Sequence, residues 1–579
     1  MQTLKSAWAR KLIIVAATAM MAAVCARAQS APSDVCPRPE VGSSVAEPQD
    51  LRSQNGVLQV SLAFRNERTA SGQVRYCYVS ADGSQSPNLR VKPGDLLILE
   101  LKNELTISSS PMSMKQHGDS ALGPCPSAEM TAASTNLHLH GLNIPPVCHQ
   151  DDVLKTFVQP GHPAFEYRVR IPTDQPPGLY WYHPHVHGFT KVQVLGGASG
   201  ALIVEGIERA NKEISGLPER VLIIRDQDLL NPNAEPNLGA EAPPVVLDSD
   251  GDAMNTGTGT GKPAKDLSVN FVPVPYPDYP PAIIRMKPRE RQLWRVLNAS
   301  AITYLNLQIL YKSTPQWMAV VGLDGVPLNH NGRGGGGVAW QTHVGLPPGG
   351  RAEFVFTAPG EGVAIFGTES VDTGSGGEND PVRPIANIVV SSDAPEPQAR
   401  LATSPEPMSR PSLPWLGDVT PVRTRKLYFS EKLQDPKDPN SPTTFYITVD
   451  GQQPAPFDPH SNLPNMVVHQ GDVEDWIIEN RSQELHAFHI HQSHFLLLER
   501  FGVPANEPFL RDTINIPFWD GKTSRFPSVK LRMDFRDPDT IGLFPYHCHL
   551  LEHEDGGMMG LIRVEPRAGA PGDGRTNNP

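Results

Sequence analysis

Beyond its first 28 residues, this chain lacks any uninterrupted run of about 20 apolar residues, the length that a membrane-spanning helix needs. It also lacks an excess of positive charge, since its 579 residues carry a formal net charge of −12 at pH 7. An acidic chain argues against nucleic acid or an anionic membrane as the main partner. We therefore expect a soluble mature protein without a membrane span.

Sequence stretches that could form long helices are scarce as well. The chain is divided by 49 glycines and 59 prolines into short apolar or alternating runs, such as 58–64 and 351–356. Such runs, bounded by turn residues, are typical of β-sandwiches and barrels. Three β-rich segments entered through a Pro or Gly turn, 89–103, 283–298 and 465–480, recur at domain-sized intervals. The sequence thus predicts an all-β protein built from three copies of one unit.

The N-terminus has the pattern of a secretory signal. Lys5, Arg10 and Lys11 precede an apolar run at 12–24, and small residues allow cleavage after Ala28. We expect export, to a periplasm or to the medium.

Cysteine is rare, with six residues in the whole chain. One lies in the predicted signal and another among C-terminal histidines, which leaves Cys36, Cys77, Cys125 and Cys148. Four cysteines in an oxidising compartment predict two disulfides, with three possible connectivities, and free buried thiols are the alternative.

Most of the candidate metal ligands in this chain are histidines. Four His-x-His pairs occur at His138/His140, His183/His185, His489/His491 and His547/His549, and they are accompanied by His486, Cys548, His553 and Met558. On a strand, residues i and i+2 point to the same face, so each pair directs two imidazoles to one place. Cys548, between two histidines, points to the opposite face. Two His, one Cys and one Met form the ligand set of a copper electron-transfer site, whereas structural zinc favours paired cysteines.

With these motifs in this order, the chain resembles the multicopper oxidases, the family of laccases, ascorbate oxidases, bilirubin oxidases and bacterial cuprous oxidases. The resemblance also covers 323–325 with 346–349, and 511–517. It implies three consecutive cupredoxin-like Greek-key β-sandwich domains and four copper ions, one type 1, one type 2 and two type 3. The implied type 1 ligands are His486, Cys548, His553 and axial Met558. The implied type 2 ligands are His138 and His489, and the type 3 ligands are His140, His183, His185, His491, His547 and His549.

The domain organisation that we expect divides the chain into five parts. These are a signal peptide at 1–28, a first domain with half of the trinuclear site at 29–210, a second domain without copper at 211–400, a third domain with the type 1 copper and the other half of the trinuclear site at 401–566, and a disordered tail at 567–579.

Reduction of dioxygen to water consumes protons, which a carboxylate near the cluster can relay. Asp151 and Glu554 are the candidates for this relay; Asp152 can replace Asp151, and a solvated loop position is the plain alternative for each. We assign supporting or packing roles to His187 and His494.

Other members of the family often have Pro at position 487 and Gly at position 492, where this chain has Ala487 and Gln492. Neither departure removes a ligand. We interpret the adjacent aromatic residues Trp181 and Tyr182 as core packing rather than as an electron relay.

The resemblance implies an oxidase that takes single electrons from phenols or aromatic amines and reduces dioxygen to water. The alternative is a metallo-oxidase acting on Cu(I) or Fe(II) in copper tolerance. The 14 methionines are scattered rather than gathered in a Met-rich insertion, which places this alternative second. A non-catalytic copper-binding protein is a third hypothesis, disfavoured because all twelve ligand residues are present. The oligomeric state stays open.

Overall fold

The architecture is given by a computed structural model that describes residues 34–106, the backbone of 113–114, 125, 130–237, 242–330, 337–403, 413–435, 437 and 441–567. The predicted signal peptide and the predicted tail, apart from Arg567, lie outside the described residues. Strands dominate the described chain, which confirms the all-β prediction. We group them below as first, middle and third units.

The first unit contains the strands Asp50–Arg52 (β1), Val57–Arg68 (β2), Val74–Ser80 (β3), Asn88–Val91 (β4), Leu96–Asn103 (β5), Ser113–Met114 (β6), Met130–Thr131 (β7), His138–His140 (β8), Phe165–Arg170 (β9), Gly178–His183 (β10) and Gly200–Val204 (β11). Two helices, Thr190–Leu195 (α1) and Ile207–Ala210 (α2), and a 3-10 turn at Lys212–Ile214 belong to it. Its two main sheets have the strand orders β1-β4-β11-β10-β8 and β3-β2-β5-β9.

The middle unit contains Glu219–Gln227 (β12), Asp266–Val269 (β13), Val272–Val274 (β14), Ala282–Met286 (β15), Arg291–Asn298 (β16), Leu305–Tyr311 (β17), Thr314–Pro315 (β18), Met318–Leu323 (β19), Val326–Pro327 (β20), Ala339–Gln341 (β21), His343–Leu346 (β22), Arg351–Thr357 (β23), Gly362–Glu369 (β24) and Arg383–Val390 (β25). Its sheets run β14-β13-β12-β16-β23-β19-β20, with β21 beside β19, and β15-β25-β24-β17-β18, with β22 beside β17.

The third unit contains Arg423–Leu433 (β26), Thr443–Val449 (β27), Met466–His469 (β28), Val473–Asn480 (β29), His486–Ile490 (β30), Phe495–Arg500 (β31), Val503–Pro504 (β32), Leu510–Arg511 (β33), Thr513–Ile516 (β34), Ser528–Asp534 (β35), Gly542–Cys548 (β36) and Met559–Glu565 (β37). The helix Leu551–Asp555 (α3) and 3-10 turns at Leu416–Asp418 and Pro538–Thr540 accompany it. Its sheets run β27-β26-β29-β35-β31-β32, with β33 beside β31, and β28-β37-β36-β30-β34.

Each unit is a β-sandwich with its own apolar core. In β2, buried and more exposed residues alternate, as expected for a strand with one face on the core. Strands such as β10 and β11 are buried on both faces because a neighbouring unit covers the outer one. Large aromatic side chains fill the cores, among them Trp294 in the middle unit and Trp476 in the third.

The three repeated segments occupy equivalent places in the sandwiches. Each forms a strand of one sheet, a tight turn and a strand of the facing sheet: β4 and β5, β15 and β16, β28 and β29. The turn residue has positive φ in all three, at Gly94, Arg289 and Gly471. The closing residues Asn103, Asn298 and Asn480 are buried, and each side-chain amide donates to two backbone carbonyls. The predicted repeat is therefore a structural repeat.

Two disulfides form in the first unit, as predicted. Cys36 pairs with Cys77, and Cys125 pairs with Cys148, which selects one of the three connectivities. Among the described residues, helices are too short and too polar to cross a bilayer.

Candidate metal centre

Cys548 and two histidines converge in the core of the third unit. His486 begins β30, Cys548 ends β36, and the short helix α3 brings back His553. The two Nδ1 atoms of His486 and His553 lie 3.2 Å apart, and the Sγ of Cys548 lies 3.6 and 3.7 Å from them. A trigonal metal with bonds of about 2.0 Å to nitrogen and 2.3 Å to sulfur needs separations of about 3.5 to 3.7 Å. This triangle of ligand atoms therefore has the size that a metal requires.

Met558 follows α3 at the same centre. Gly557 has a φ of 110° and allows the chain to reverse direction there. The backbone N–H of Met558 then donates to the carbonyl of His553, and the N–H of Cys548 donates to the carbonyl of Met558. The Met558 side chain is fully buried in the core that also contains Cys548. Its axial ligation stays a prediction.

The eight remaining histidines of the motifs form one buried cluster between the first and third units. Strand pairing places His183 opposite His138 and His489 opposite His547. Between the units, ring centroids lie 3.9 Å apart for His138 and His491 and also for His140 and His489. The Nε2 of His547 lies 3.3 Å from that of His185 and 3.2 Å from that of His491. The structure thus brings all four His-x-His pairs together.

The nitrogens without partners show how these rings are oriented. Within the described residues, His138 Nε2, His140 Nδ1, His183 Nε2 and His489 Nε2 are buried and have no hydrogen-bond partner. The opposite nitrogen of each ring is held in place: His138 Nδ1 by Asp151, His140 Nε2 by Asp512, His183 Nδ1 by the Pro184 carbonyl and His489 Nδ1 by the Asp512 carbonyl. Rings that ligate metals are oriented in this way. The residues therefore fit a multinuclear metal cluster.

Burial also sets the protonation of the rings. It lowers the pKa of His547 to about 3 and that of His183, His185 and His489 well below the usual value. Neutral imidazole is the form that binds metals, so the rings need no proton release before binding. Burial raises the pKa of the Cys548 thiol, which a bound metal would have to deprotonate.

The two candidate proton-relay residues lie beside this cluster. Both oxygens of Asp151 are 2.9 Å from His138 Nδ1, and Gln492 donates to the same carboxylate. Burial raises the pKa of the neighbouring Asp152 to about 6, and the charge of Lys155 acts in the opposite direction. The carboxylate of Glu554 lies 3.3 Å from His547 Nδ1. Burial, followed by repulsion from Asp555, raises the pKa of Glu554.

The departures from the common family pattern have a local explanation. Gln492 adopts a φ of 54°, the left-handed conformation that Gly takes most readily. Its side chain fills the space beside Asp151 and orients that carboxylate. Ala487 is buried in the core of the third unit. Neither residue displaces a histidine of the two groups.

Residues that we assigned to supporting or packing roles lie around these groups. His187 packs against Phe457 with ring centroids 4.9 Å apart. His494 Nε2 lies 3.1 Å from the Asp324 carbonyl. Trp181 is buried and stacks on His183, with ring centroids 4.1 Å apart. The remaining isolated histidines that the structure describes, His149, His162, His330, His343, His460 and His469, belong to neither group; His117 lies outside the described residues.

Several carboxylates at these centres were missed by sequence reasoning. Asp512 contacts His140 from the third unit and is itself paired with Arg351 of the middle unit. Glu431 Oε1 lies 3.0 Å from His486 Nε2, and Glu484 Oε1 lies 3.1 Å from His553 Nε2. No spacing signal links these acids to their histidines. The one available hint was the position of Asp512 in the segment 511–517, to which the resemblance extends.

Comparisons with known proteins agree with this geometry. Two family models, both described as multicopper oxidase, match residues 129–209 and 436–568. The multicopper oxidase mco of Staphylococcus haemolyticus is 24% identical over 489 residues, covering 83% of this chain and 81% of that protein. A laccase of Haloferax volcanii is 24% identical, covering 76% and 68%. The solved structure of a multicopper oxidase from Campylobacter jejuni, titled a metallo-oxidase, has the same fold, with a TM-score of 0.61, 22% identity and coverage of 92% and 97%.

The fold and the two histidine groups define a copper-binding oxidoreductase built from cupredoxin-like sandwiches. The two segments that carry the His-x-His pairs match the multicopper oxidase family, whose members use dioxygen as the electron acceptor.

Proposed function

We propose that this protein is an exported oxidase that takes single electrons from a donor at a type 1 copper and reduces dioxygen to water at a trinuclear copper cluster. Four electrons and four protons convert one dioxygen into two water molecules. The observation that carries the proposal is the tripeptide 547–549. It directs the thiolate of Cys548 into one group of ligands and the imidazoles of His547 and His549 into the other.

The ligand roles follow from the two groups. His486, Cys548, His553 and Met558 would hold the type 1 copper. His138 and His489 would hold the type 2 copper, and His140, His183, His185, His491, His547 and His549 the type 3 pair. Copper supplies reversible one-electron chemistry at all of these sites. The orphaned nitrogens of the buried rings support the assignment.

Cys548 would connect the two centres. Its backbone is bonded directly to His547 and His549, so the path between the groups is a short run of covalent bonds. The surrounding side chains are buried and exclude water from this path. Tyr304 and Trp476, both buried in the same core, add to this exclusion.

Asp151 and Glu554 would hold protons for the reduction of dioxygen. Asp151 accepts hydrogen bonds from the Leu139 backbone and from Gln492 while it contacts His138. Glu554 accepts from the Thr190 hydroxyl and lies beside His547. The two carboxylates therefore approach the histidine cluster through different rings.

The electron donor is indicated by the carboxylates at the other edge of the type 1 group. The rings of His486 and His553 are buried, and the Nε2 atom of each is covered by a carboxylate, Glu431 and Glu484 respectively. Because the Nδ1 atoms of the two rings lie 3.2 Å apart, these carboxylates form an acidic cluster at the edge of the type 1 group. Such a cluster favours a small cation. We therefore rank Cu(I) or Fe(II) above the phenols that the sequence placed first.

Phenols and aromatic amines are the second candidate donors. Glu431 is about one-fifth exposed and stands beside His486, where it can accept the proton that a phenol loses on oxidation. The relative from Haloferax volcanii, named a laccase, is consistent with this possibility.

The test is oxygen uptake by the copper-loaded mature protein with Cu(I), Fe(II) or a methoxyphenol as donor, with peroxide monitored. Rapid uptake with a metal ion and slow uptake with the phenol supports the metallo-oxidase. The reverse supports a laccase-like oxidase, and no uptake with any donor supports a non-catalytic copper protein.

N-terminal sequencing of the exported protein tests cleavage after Ala28, and limited proteolysis tests boundaries near residues 210 and 400.

A further inference from the structure

We propose that the middle unit, which supplies no copper ligand, positions the histidine cluster through Arg351 and Asp324. The inference rests on the proposed function, because it assigns His140 and His489 to the trinuclear site. Arg351 acts through the side chain of Asp512, and Asp324 acts through the backbone of the same segment. Both are positioning residues, since neither contacts a predicted copper-binding nitrogen.

Arg351 joins the three units at one point. It is fully buried at the start of β23. Its Nη1 and Nη2 donate to the two oxygens of Asp512 in the third unit, at 2.7 and 2.6 Å. Its Nε donates to the carbonyl of Leu179 in β10 of the first unit, at 3.2 Å. A bidentate pair of this kind fixes the orientation of a carboxylate as well as its position.

The oriented carboxylate of Asp512 reaches His140. Its Oδ1 lies 3.3 Å from His140 Nε2, and the Nδ1 of that ring is left without a partner. A proton held on Nε2 by Asp512 leaves the lone pair of Nδ1 free for a metal. Arg351 therefore determines the tautomer and direction of a ring in the first unit from its place in the middle unit.

Asp324 holds the backbone of the same segment. Its Oδ2 accepts from the N–H groups of Asp512 and Thr513, at 3.3 and 3.4 Å, and its Oδ1 accepts from the N–H of Arg351. The Asp512 carbonyl accepts a hydrogen bond from His489 Nδ1 at 2.9 Å, which leaves His489 Nε2 free. Arg351 thus acts on a ring from the first unit and Asp324 on a ring from the third.

The packing around this connection leaves room for nothing larger than hydrogen at Gly141, the residue after His140. A Cβ there would collide with Arg351 Nη2 and would lie 2.6 Å from Asp512 Oδ2. Gly141 also has a φ of 87°. The chain therefore passes His140 directly beside the Arg351–Asp512 pair, as a positioning contact requires.

Arg295 offers a matched control for Arg351. It is equally buried, lies in β16 next to β23, and pairs with the carboxylates of Glu219 and Glu353. Within the described residues, its hydrogen-bond and ion-pair partners include no histidine. Arg295→Met and Arg351→Met each leave buried carboxylates without their guanidinium, so both should lower stability. Only Arg351→Met should alter the histidine cluster.

The experiment compares copper content, the near-ultraviolet absorption of the type 3 pair and the electron paramagnetic resonance spectrum of type 2 copper in copper-loaded wild type, Arg351→Met, Arg351→Lys and Arg295→Met. In Arg351→Met we expect a weaker near-ultraviolet absorption of the type 3 pair, to which His140 is assigned, and about 10-fold to 100-fold weaker copper retention against a chelator. The type 1 absorption should stay unchanged. Arg351→Lys, which keeps the charge but not the bidentate geometry, should fall between wild type and Arg351→Met. Arg295→Met should keep the wild-type spectrum.

The proposal fails if Arg351→Met and Arg295→Met give the same spectrum and copper retention as each other. If Arg351→Met does not fold, Asp324→Asn replaces it, and a wild-type type 2 spectrum in that variant also overturns the proposal. If wild type itself shows no type 2 signal when loaded, the proposed function has failed instead, so the two failures are distinguishable.

Discussion

Replacement of Glu431 by Gln tests the choice of electron donor most directly. Gln has nearly the same shape and can occupy the same place 3.0 Å from His486 Nε2, so the change removes mainly the charge. A cation about 4 Å from a carboxylate gains about 1 kcal/mol in bulk water and about 4 kcal/mol at an effective dielectric constant of 20. Glu431 is 19% exposed, so an intermediate value of about 2 kcal/mol applies.

That energy corresponds to a loss of about 30-fold in kcat/KM for Cu(I) or Fe(II). If Glu431 acts only by attracting a cation, a neutral phenol should lose less than about threefold, whereas a phenol that uses Glu431 as its proton acceptor should lose as much as the metal ion. The assay is steady-state oxygen uptake with each donor, with the type 1 absorption recorded to show that the copper site is intact. Glu479→Gln is the matched control: its carboxylate pairs with Arg481 and Lys426 on the same unit rather than with His486. Equal losses for the metal ion and the phenol would refute the reasoning, and so would an unchanged rate for both.

Three further predictions follow from the same geometry. Met558→Leu should raise the reduction potential of the type 1 copper, because a weak thioether ligand is lost; an unchanged potential in a redox titration would show that Met558 is not the axial ligand. Asp151→Asn should lower the rate of dioxygen reduction by about 100-fold, while reduction of the type 1 copper in stopped flow stays fast. Asp152→Asn is the control. A larger effect in Asp152→Asn than in Asp151→Asn would reverse the assignment. Removing the Cys36–Cys77 disulfide, which closes a separation of 41 residues, should lower the free energy of unfolding by about 4 kcal/mol in denaturant titrations without changing the activity of the folded enzyme. A change well below 1 kcal/mol would indicate that the unfolded chain is already restricted there.

Much of the fold could be predicted because its signals are local. The alternation of residues along β2 and the turn at Gly94 require only the neighbouring residues. The same turn recurs at Arg289 and Gly471, so the three units could be recognised by comparing their segments with one another. The disulfide pairing could not be predicted, because four cysteines in one region allow three connectivities and only the packed chain brings Cys36 to Cys77.

The candidate site could likewise be predicted from the sequence where local spacing sufficed, and not where distant segments meet. The residue spacing was sufficient to group the histidine pairs, since i and i+2 on a strand share a face. The contact between Asp151 and His138 could be seen only in the fold, because the spacing of the two residues does not show that their side chains meet, and the relay role of Asp151 stays a prediction. Glu431 and Glu484 reach the type 1 histidines from separate segments, and their contacts changed the order of the candidate donors.

The sequence by itself determined the unit repeat, the four His-x-His pairs and the position of Cys548 between two of them, because these depend on the periodicity of a strand. Only the tertiary structure decided that His140 meets Asp512, 372 residues away, and that Arg351 of the middle unit holds this acid. The reason is physical: backbone geometry fixes which side chains share a face, whereas contacts between units depend on how complete sandwiches pack against one another.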